Sequence, residues 1–210
     1  MFQDRFDAGR VLARQLEAYR NNPNTLVLAL PRGGVPVGYE VARELSVPLD
    51  VFLVRKLGVP GQEELAMGAI ASHGIRILNE DIVAQLNISP YEIEAAAGRE
   101  QAELQRREQL YRGERPSPNV SGATIILVDD GLATGASMRV AVEALRRQNP
   151  ARIIVAVPVA PAEACAELGR LADDVVCAQT PDPFYAVGQA YARFEQTTDD
   201  EVRLLLAGTR

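Results

Sequence analysis

The sequence predicts an α/β fold in which a mostly parallel central sheet is flanked by helices. Two observations carry this prediction. Apolar runs of strand length alternate with helical segments, and these runs are apolar throughout instead of alternating with polar residues. Strands of a parallel sheet have this composition because helices cover both of their faces. The 210 residues, of which 47% are hydrophobic, suit a single domain spanning residues 1–210.

The predicted elements follow one another in a regular order. Five buried strands are predicted at residues 25–30, 51–54, 125–128, 153–157 and 175–177. Apolar residues at helical spacing predict helices at residues 4–20, 35–45, 136–148, 161–171 and 202–207. Residues 66–72 and 75–78 are expected to pair as a hairpin, and the Gly- and Pro-containing segment 58–64 is expected to be a mobile loop.

Two segments lie outside this alternation. Ser89-Pro90-Tyr91-Glu92 is a capping box with Pro at the first helical position, and it predicts a long helix within a helical insert spanning residues 80–115. For this insert a solvated or dimer-packing arm is favoured over nucleic-acid binding, with Tyr91 and Tyr111 as packing residues. Residues 178–195, which follow the last strand, are the candidate for a small C-terminal hood.

Composition excludes several classes of function. A net charge of −6 argues against a nucleic-acid partner that is bound through a basic surface. No apolar run is long enough to span a membrane, and a single histidine leaves little room for a Ser-His-Asp triad or a His-rich metal site. Cys165 and Cys177 form no motif, so neither a disulfide framework nor a cysteine-based zinc site is expected. Without a signal sequence or disulfide chemistry, a cytoplasmic setting is predicted.

The segment from Ile125 to Ser137 carries the strongest chemical pattern. A buried strand delivers two adjacent carboxylates, Asp129 and Asp130, to the edge of the sheet, and a turn of small residues then enters a helix. A helix N-terminus exposes unpaired N–H groups that suit a phosphate, and the hydroxyls of Thr134 and Ser137 can donate further hydrogen bonds. Carboxylates suit the hydroxyls of a sugar or a metal ion. The combination therefore predicts a site for a phosphorylated sugar.

Residues 128–137 resemble the signature of type I phosphoribosyltransferases that binds 5-phosphoribosyl-1-pyrophosphate (PRPP). The resemblance implies that Asp129 and Asp130 hold the ribose 2′- and 3′-hydroxyls. It implies that the following turn cradles the 5′-phosphate through Ala133, Thr134, Gly135, Ala136 and Ser137. Members specific for hypoxanthine and guanine carry an aspartate where this chain has Ala133, so the proton-transfer group for an acceptor base is left open.

Two further segments resemble the same family. Leu30-Pro31-Arg32-Gly33-Gly34 follows the first long strand, where the family places a pyrophosphate loop that often contains a strained or cis peptide. The resemblance implies that Arg32 meets pyrophosphate oxygens and that Gly33 and Gly34 offer N–H groups. Val54-Arg55-Lys56 resembles the paired basic residues that face pyrophosphate at the end of the next strand. Residues 57–68 would then be a catalytic flexible loop that closes over the ligand.

The resemblance implies a function in nucleotide salvage: transfer of phosphoribose from PRPP to a nitrogenous base or related acceptor, with release of pyrophosphate. Mg²⁺ would be held through PRPP, with Asp129 and Asp130 contacting it through water. Asp129, Asp130, Arg32 and Lys56 are the predicted catalytic residues. In the hood, Phe184 or Tyr185 could stack on a base or could fill a core. The family also implies a homodimer, and the alternative is a PRPP-binding regulatory protein without transferase turnover.

Overall fold

The computed structural model describes residues 1–208 of the chain, so the last two residues of the predicted domain lie outside the described residues. Within this part eight strands form: β1 (Thr25–Ala29), β2 (Leu49–Val51), β3 (Val54–Val59), β4 (Gln62–Ala71), β5 (Ile75–Leu78), β6 (Thr124–Val128), β7 (Arg152–Val159) and β8 (Asp174–Gln179). The helices are α1 (Arg5–Gln15), α2 (Gly34–Leu45), α3 (Glu80–Gln85), α4 (Pro90–Arg112), α5 (Ala136–Arg146), α6 (Ala162–Leu168) and α7 (Asp199–Gly208).

The predicted parallel sheet is confirmed. Its five strands run in the order β2-β1-β6-β7-β8, and every neighbouring pair is parallel. Alternate residues of each central strand enter different cores. In β1, Val27 packs in the core that includes Val37 of α2, whereas Leu28 packs in the core that includes Val142 of α5. The strands are apolar throughout because helices bury both faces of the sheet.

A second, antiparallel sheet of order β3-β4-β5 lies beside the first. It confirms the hairpin predicted for residues 66–72 and 75–78. Residues 58–64 do not form the irregular loop that was expected, because β3 and β4 pair there across a turn in which Gly61 has a φ of +77°. Closure of residues 57–68 over a ligand stays a prediction. Residues 51–54 are not one strand either: β2 ends in the parallel sheet and β3 begins in the antiparallel sheet.

The insert is helical, and its long helix α4 begins at the predicted capping box. The Ser89 hydroxyl accepts a hydrogen bond from the Glu92 amide, and the Glu92 carboxylate accepts one from the Ser89 amide. The insert does not extend from the domain as a separate arm, because α4 packs against β3, β4 and α7 and buries one face that includes Leu104 and Tyr111. Its other face is exposed, and dimer packing through it stays a prediction. Tyr91 does not pack as expected, since 82% of its surface is exposed.

The candidate hood folds back onto the N-terminus. It contains a short 3₁₀ turn, Val187–Ala190, and Tyr191 forms an isolated bridge with Phe2. Phe2 and Tyr191 belong to a small third core, against which Phe184 packs as a partly buried side chain. The segment is therefore fixed at the edge of the sheet that carries the predicted site, next to helix α1.

The expectation that the chain has no disulfide is wrong. A disulfide joins Cys165 of α6 to Cys177 of β8, and no free cysteine is present among the described residues. Two cysteines 12 positions apart give no sequence motif, and only the packing of α6 against β8 brings them together. The disulfide removes one ground for predicting a cytoplasmic setting. Across residues 1–208, none of the helices has the length and apolar character that a membrane span requires.

Candidate active site

Two loops meet at the carboxyl ends of the adjacent strands β1 and β6. Gly33 and Gly34 lie directly against the acidic pair: a Cβ added to Gly33 would lie 2.0 Å from Asp130 Oδ2, and one added to Gly34 would lie 2.9 Å from Asp129 Cα. Gly34 has no room for a side chain because the backbone of the acidic turn lies so close, and a side chain at Gly33 would displace the Asp130 carboxylate. The peptide between Pro31 and Arg32 is cis, as the resemblance implied for this loop.

Asp129 lies at the end of β6 with its carboxylate against the interior of the site. Its Oδ1 accepts a hydrogen bond from the Asp130 amide at 2.8 Å. Burial, and after it the negative charge of Asp130, raises the pKa of the Asp129 carboxyl well above its ordinary value of 3.8. Ionising this carboxyl in the folded protein therefore costs free energy, and such perturbed carboxyl groups are typical of residues that act on a ligand.

Asp130 is paired with a cation that sequence reasoning missed. Arg5 Nε lies 2.7 Å from Asp130 Oδ2, and only 12% and 16% of the two side chains are exposed. The guanidinium also lies 3.9 Å from the centre of the Phe194 ring and donates to the Glu195 carbonyl. Burial raises the pKa of Asp130, while the charge and hydrogen bond of Arg5 oppose the rise.

Tyr191 fixes the backbone of the acidic pair from the hood side. Its hydroxyl donates to the Asp130 carbonyl at 2.5 Å. Gly131 lies under the same segment, since a Cβ at this position would lie 2.5 Å from Val187 Cγ1. The hood therefore contacts the signature turn through side chains that differ from the two aromatic residues proposed from the sequence.

The turn from Gly131 to Ser137 leaves several amides unbonded. Gly135, with a φ of +71°, is the N-cap residue of α5. Among the described residues, no acceptor is found for the amides of Ala133, Thr134, Gly135 and Ser137, and Thr134 and Ser137 are exposed. Unpaired amides at the start of an eleven-residue helix form a favourable environment for a phosphate group.

A cavity of about 120 Å³ joins these segments. Its lining includes side chains or backbone of Leu30, Pro31, Phe52, Leu53, Val54, Arg55, Arg107, Asp129 and Ser137. Each of the three segments singled out in the sequence thus contributes: the loop after β1, the start of β3, and the turn after β6. Arg107 of α4 was not foreseen, because its spacing from Glu103 predicts only an exposed ion pair on a helix.

The comparisons with known proteins give the family. The family model described as "Phosphoribosyl transferase domain" matches residues 2–192. The chain belongs to this family. A protein of Mycobacterium tuberculosis strain H37Rv named "Putative phosphoribosyl transferase" is 46% identical over 202 residues, covering 96% of this chain and 45% of that protein. The chain thus spans about half the length of the curated relatives it matches.

Solved structures agree with this phosphoribosyl transferase fold. The protein TT1426 from Thermus thermophilus superposes with a TM-score of 0.85 at 42% identity, covering 98% of this chain and 97% of that one. A hypothetical protein from Neisseria gonorrhoeae gives a TM-score of 0.50 at 12% identity, with 100% and 99% coverage, which shows the fold alone. The predicted fold class and family are therefore confirmed.

The basic residues predicted for the phosphoribosyl transferase site are paired with acids. Arg55 Nη2 lies 2.7 Å from Glu100 Oε2. Lys56 Nζ lies 3.4 Å from Glu64 Oε2, facing an adjacent cleft instead of the cavity. Arg32 follows Pro31 of the cavity wall, and its Nη1 lies 3.9 Å from Asp199 Oδ1.

Other predicted site residues are placed differently. The amide of Gly34 already donates to the Leu30 carbonyl at 3.1 Å, so the expectation that it offers a free N–H group is wrong. Phe184 packs in the small hood core, and Tyr185 is 74% exposed. Neither aromatic residue contributes to the lining of the cavity.

Proposed function

We propose that this domain transfers the phosphoribosyl group of PRPP to a nitrogenous base or related acceptor and releases pyrophosphate. One observation carries the proposal: a single cavity is lined by Pro31, Arg55, Asp129 and Ser137, one or more from each segment that resembles the PRPP site. A strand-to-helix turn with only a structural role would need neither a buried pair of carboxylates nor a second loop whose glycine residues pack against that pair.

The ribose and its 5′-phosphate are assigned to the turn after β6. Asp129 and Asp130 accept hydrogen bonds from the 2′- and 3′-hydroxyls, and their charge favours a positively charged ribose ring in the transition state. The unbonded amides that begin at Ala133, together with the hydroxyls of Thr134 and Ser137, receive the 5′-phosphate.

The departing pyrophosphate is assigned to the loop after β1 and the start of β3. Arg32, Arg55 and Lys56 offset its charge, and the Gly33 amide is available as a donor. Each cation must then exchange an acidic neighbour for a phosphate oxygen. Because the ribose carbon becomes cationic before the acceptor attacks, no side chain is needed as a nucleophile, and catalysis consists of positioning, charge stabilisation and exclusion of water.

The residues present fit Mg²⁺ as a partner of PRPP. Mg²⁺ is commonly bound by one or two carboxylates together with substrate phosphates, and the Asp129 carboxylate lines the cavity. When bound, the ion would neutralise charge on the pyrophosphate. Within the described residues, no group of three or more His, Cys, Asp or Glu side chains could form a protein cage for a metal.

Binding and turnover measurements test the proposal in sequence. Calorimetry with PRPP and Mg²⁺ should show one site per chain, and pyrophosphate release should then appear with at least one member of a panel of nitrogenous bases. Binding of PRPP without release of pyrophosphate in the presence of any of the acceptors would support the regulatory alternative. Absence of PRPP binding would contradict both functions and reopen hydrolysis of a phosphorylated substrate as the activity.

The acceptor site, oligomeric state and location belong to the same proposal. Because Ala133 supplies no carboxylate, a group outside the signature must handle the acceptor proton. Phe184 and Tyr185 remain the proposed aromatic residues of an acceptor site outside the lining of this cavity. A homodimer and a cytoplasmic setting remain predictions.

A further inference from the structure

Arg107 of the insert helix lies at the wall of the proposed PRPP site. It lines the same cavity as Pro31, Arg55, Asp129 and Ser137, although it belongs to none of the three segments that resemble the PRPP site. Helix α4 packs against β3, and this packing brings Arg107 to the cavity. The insert helix therefore contributes a side chain to the wall of the proposed PRPP site.

The contacts that Arg107 makes within the protein do not explain its position. Its Nε lies 2.8 Å from Glu103 Oε1, one turn earlier on the same helix. Arg106 already binds both oxygens of Glu103, through Nε at 2.8 Å and Nη2 at 3.0 Å. Ion pairs of this kind on an exposed helix contribute little to stability. The fold could thus lose Arg107 and keep the pair that holds Glu103.

The charge around the cavity points to an anionic ligand. Arg55 has Glu100 as a partner of its own, whereas Arg107 shares one carboxylate with Arg106. Arg32 and Arg107 also act together on Tyr111: burial and the hydrogen bond to Asp199 raise the pKa of its hydroxyl to about 12, and the two guanidinium charges oppose that rise. The guanidinium groups of Arg32, from the loop after β1, and of Arg107, from α4, thus both lie near Tyr111.

We propose that Arg107 binds the diphosphate group of PRPP, so that the insert helix supplies one wall of the leaving-group site. This inference rests on the proposed function. A guanidinium can form two parallel, charge-assisted hydrogen bonds to phosphate oxygens. The diphosphate is the part of PRPP assigned to Arg55, which lines the same cavity as Arg107.

Arg106 provides a matched control for the test. It is the adjacent residue, it binds the same glutamate, and it does not line the cavity. Calorimetry on the wild type, Arg107→Gln and Arg106→Gln would use three probes: PRPP with Mg²⁺, inorganic pyrophosphate with Mg²⁺, and ribose 5-phosphate. We expect Arg107→Gln to bind the first two about tenfold more weakly. The affinity of Arg107→Gln for ribose 5-phosphate should stay within about twofold of the wild-type affinity. The affinity of Arg106→Gln should stay within about twofold of the wild type for all three probes.

The outcomes separate this inference from the proposed function. The role of Arg107 would be overturned if both variants bound PRPP and pyrophosphate with the same affinity. It would also be overturned if Arg107→Gln lost as much affinity for ribose 5-phosphate as for the two diphosphates. If Arg107→Gln does not fold, Arg107→Lys takes its place, with weaker binding of both diphosphates expected because an ammonium cannot form the paired hydrogen bonds; unchanged affinity would refute the role. A wild type that does not bind PRPP contradicts the proposed function itself.

Discussion

Asp129 combines a buried carboxylate with a like-charged neighbour, so its functional charge opposes stability. Its folded-state pKa is raised by burial and by Asp130. The raised pKa therefore destabilises the fold at pH values above the ordinary pKa of 3.8. The penalty is complete above the raised pKa, shrinks as the pH falls below it, and is absent below 3.8. Asparagine keeps an oxygen that can accept from the Asp130 amide but carries no charge.

Asp129→Asn should therefore stabilise the domain while weakening its function. At pH 7 we expect the free energy of unfolding to rise by at least about 1 kcal/mol, since one pKa unit corresponds to ~1.4 kcal/mol. Denaturant titrations at pH 7 and near pH 4 should show the gain shrinking towards the lower pH. A gain that is equal at both pH values, or a loss at pH 7, would contradict the assigned cause.

Arg5 is expected to set the pH at which the acid pair becomes ionised. Removing its charge in Arg5→Gln leaves Asp130 buried without a cation, so the pKa rises further and the ionised pair forms only at higher pH. We expect the acidic limb of the kcat/KM profile to move to higher pH, with kcat/KM at pH 7 about tenfold lower.

Two variants check the origin of this shift. Arg5→Lys keeps a positive charge beside Asp130 and should return the acidic limb towards the wild-type position. Arg193→Gln removes an ion pair with Asp4 that lies outside the site, where the Arg193 side chain is 65% exposed. This variant should leave the pH profile of kcat/KM unchanged. If Arg5→Gln lowers kcat/KM by the same factor at every pH, Arg5 acts on the structure alone.

At the scale of elements, the same substitution should have opposite effects in two places. Gly33→Ala puts a methyl group where the Asp130 carboxylate lies and displaces this carboxylate from Arg5, so we expect a loss of about 1–3 kcal/mol and weaker PRPP binding. Gly98→Ala, on an exposed part of α4 with open space around the new Cβ, should stabilise by about 0.5–1 kcal/mol. Thermal melting of both variants is the measurement. Stabilisation by Gly33→Ala would refute the close contact between Gly33 and the Asp130 carboxylate.

The elements that the sequence predicts well are those with local causes. Strand β6 is apolar because it is buried on both faces, and α4 begins where Ser89 and Glu92 cap each other. The sequence predicts a loop where β3 and β4 form a hairpin, because Pro60 and Gly61 mark a turn without showing which strands pair across it. Arg5, which is 125 positions from Asp130 in the sequence, has no local signal at all.

At the scale of the whole molecule, the site is assembled from parts that stabilise one another. The parallel sheet supplies the two loops, the antiparallel sheet supplies Arg55, and α4 covers the gap between them. The N-terminal helix and the hood meet at Arg5, which contacts Phe194 and Asp130 together. A ligand in the cavity would therefore contact segments from β1 to α5, and its binding should raise the melting temperature of the entire domain.

The Cys165–Cys177 disulfide ties α6 to β8 at the far edge of the parallel sheet, and α6 also borders the signature turn, where Ala164 and Leu168 lie near Gly135. Closing a loop of this length is worth about 3 kcal/mol in the unfolded-chain entropy account. Reduction should therefore lower the melting temperature by about 6–12 °C for a domain of this size. Calorimetric scans with and without reductant measure the shift. The double variant Cys165→Ala/Cys177→Ala should melt at the temperature of the reduced protein, and reductant should not change its melting temperature. A wild type whose melting is indifferent to reductant would show that this bond does not hold the edge of the sheet.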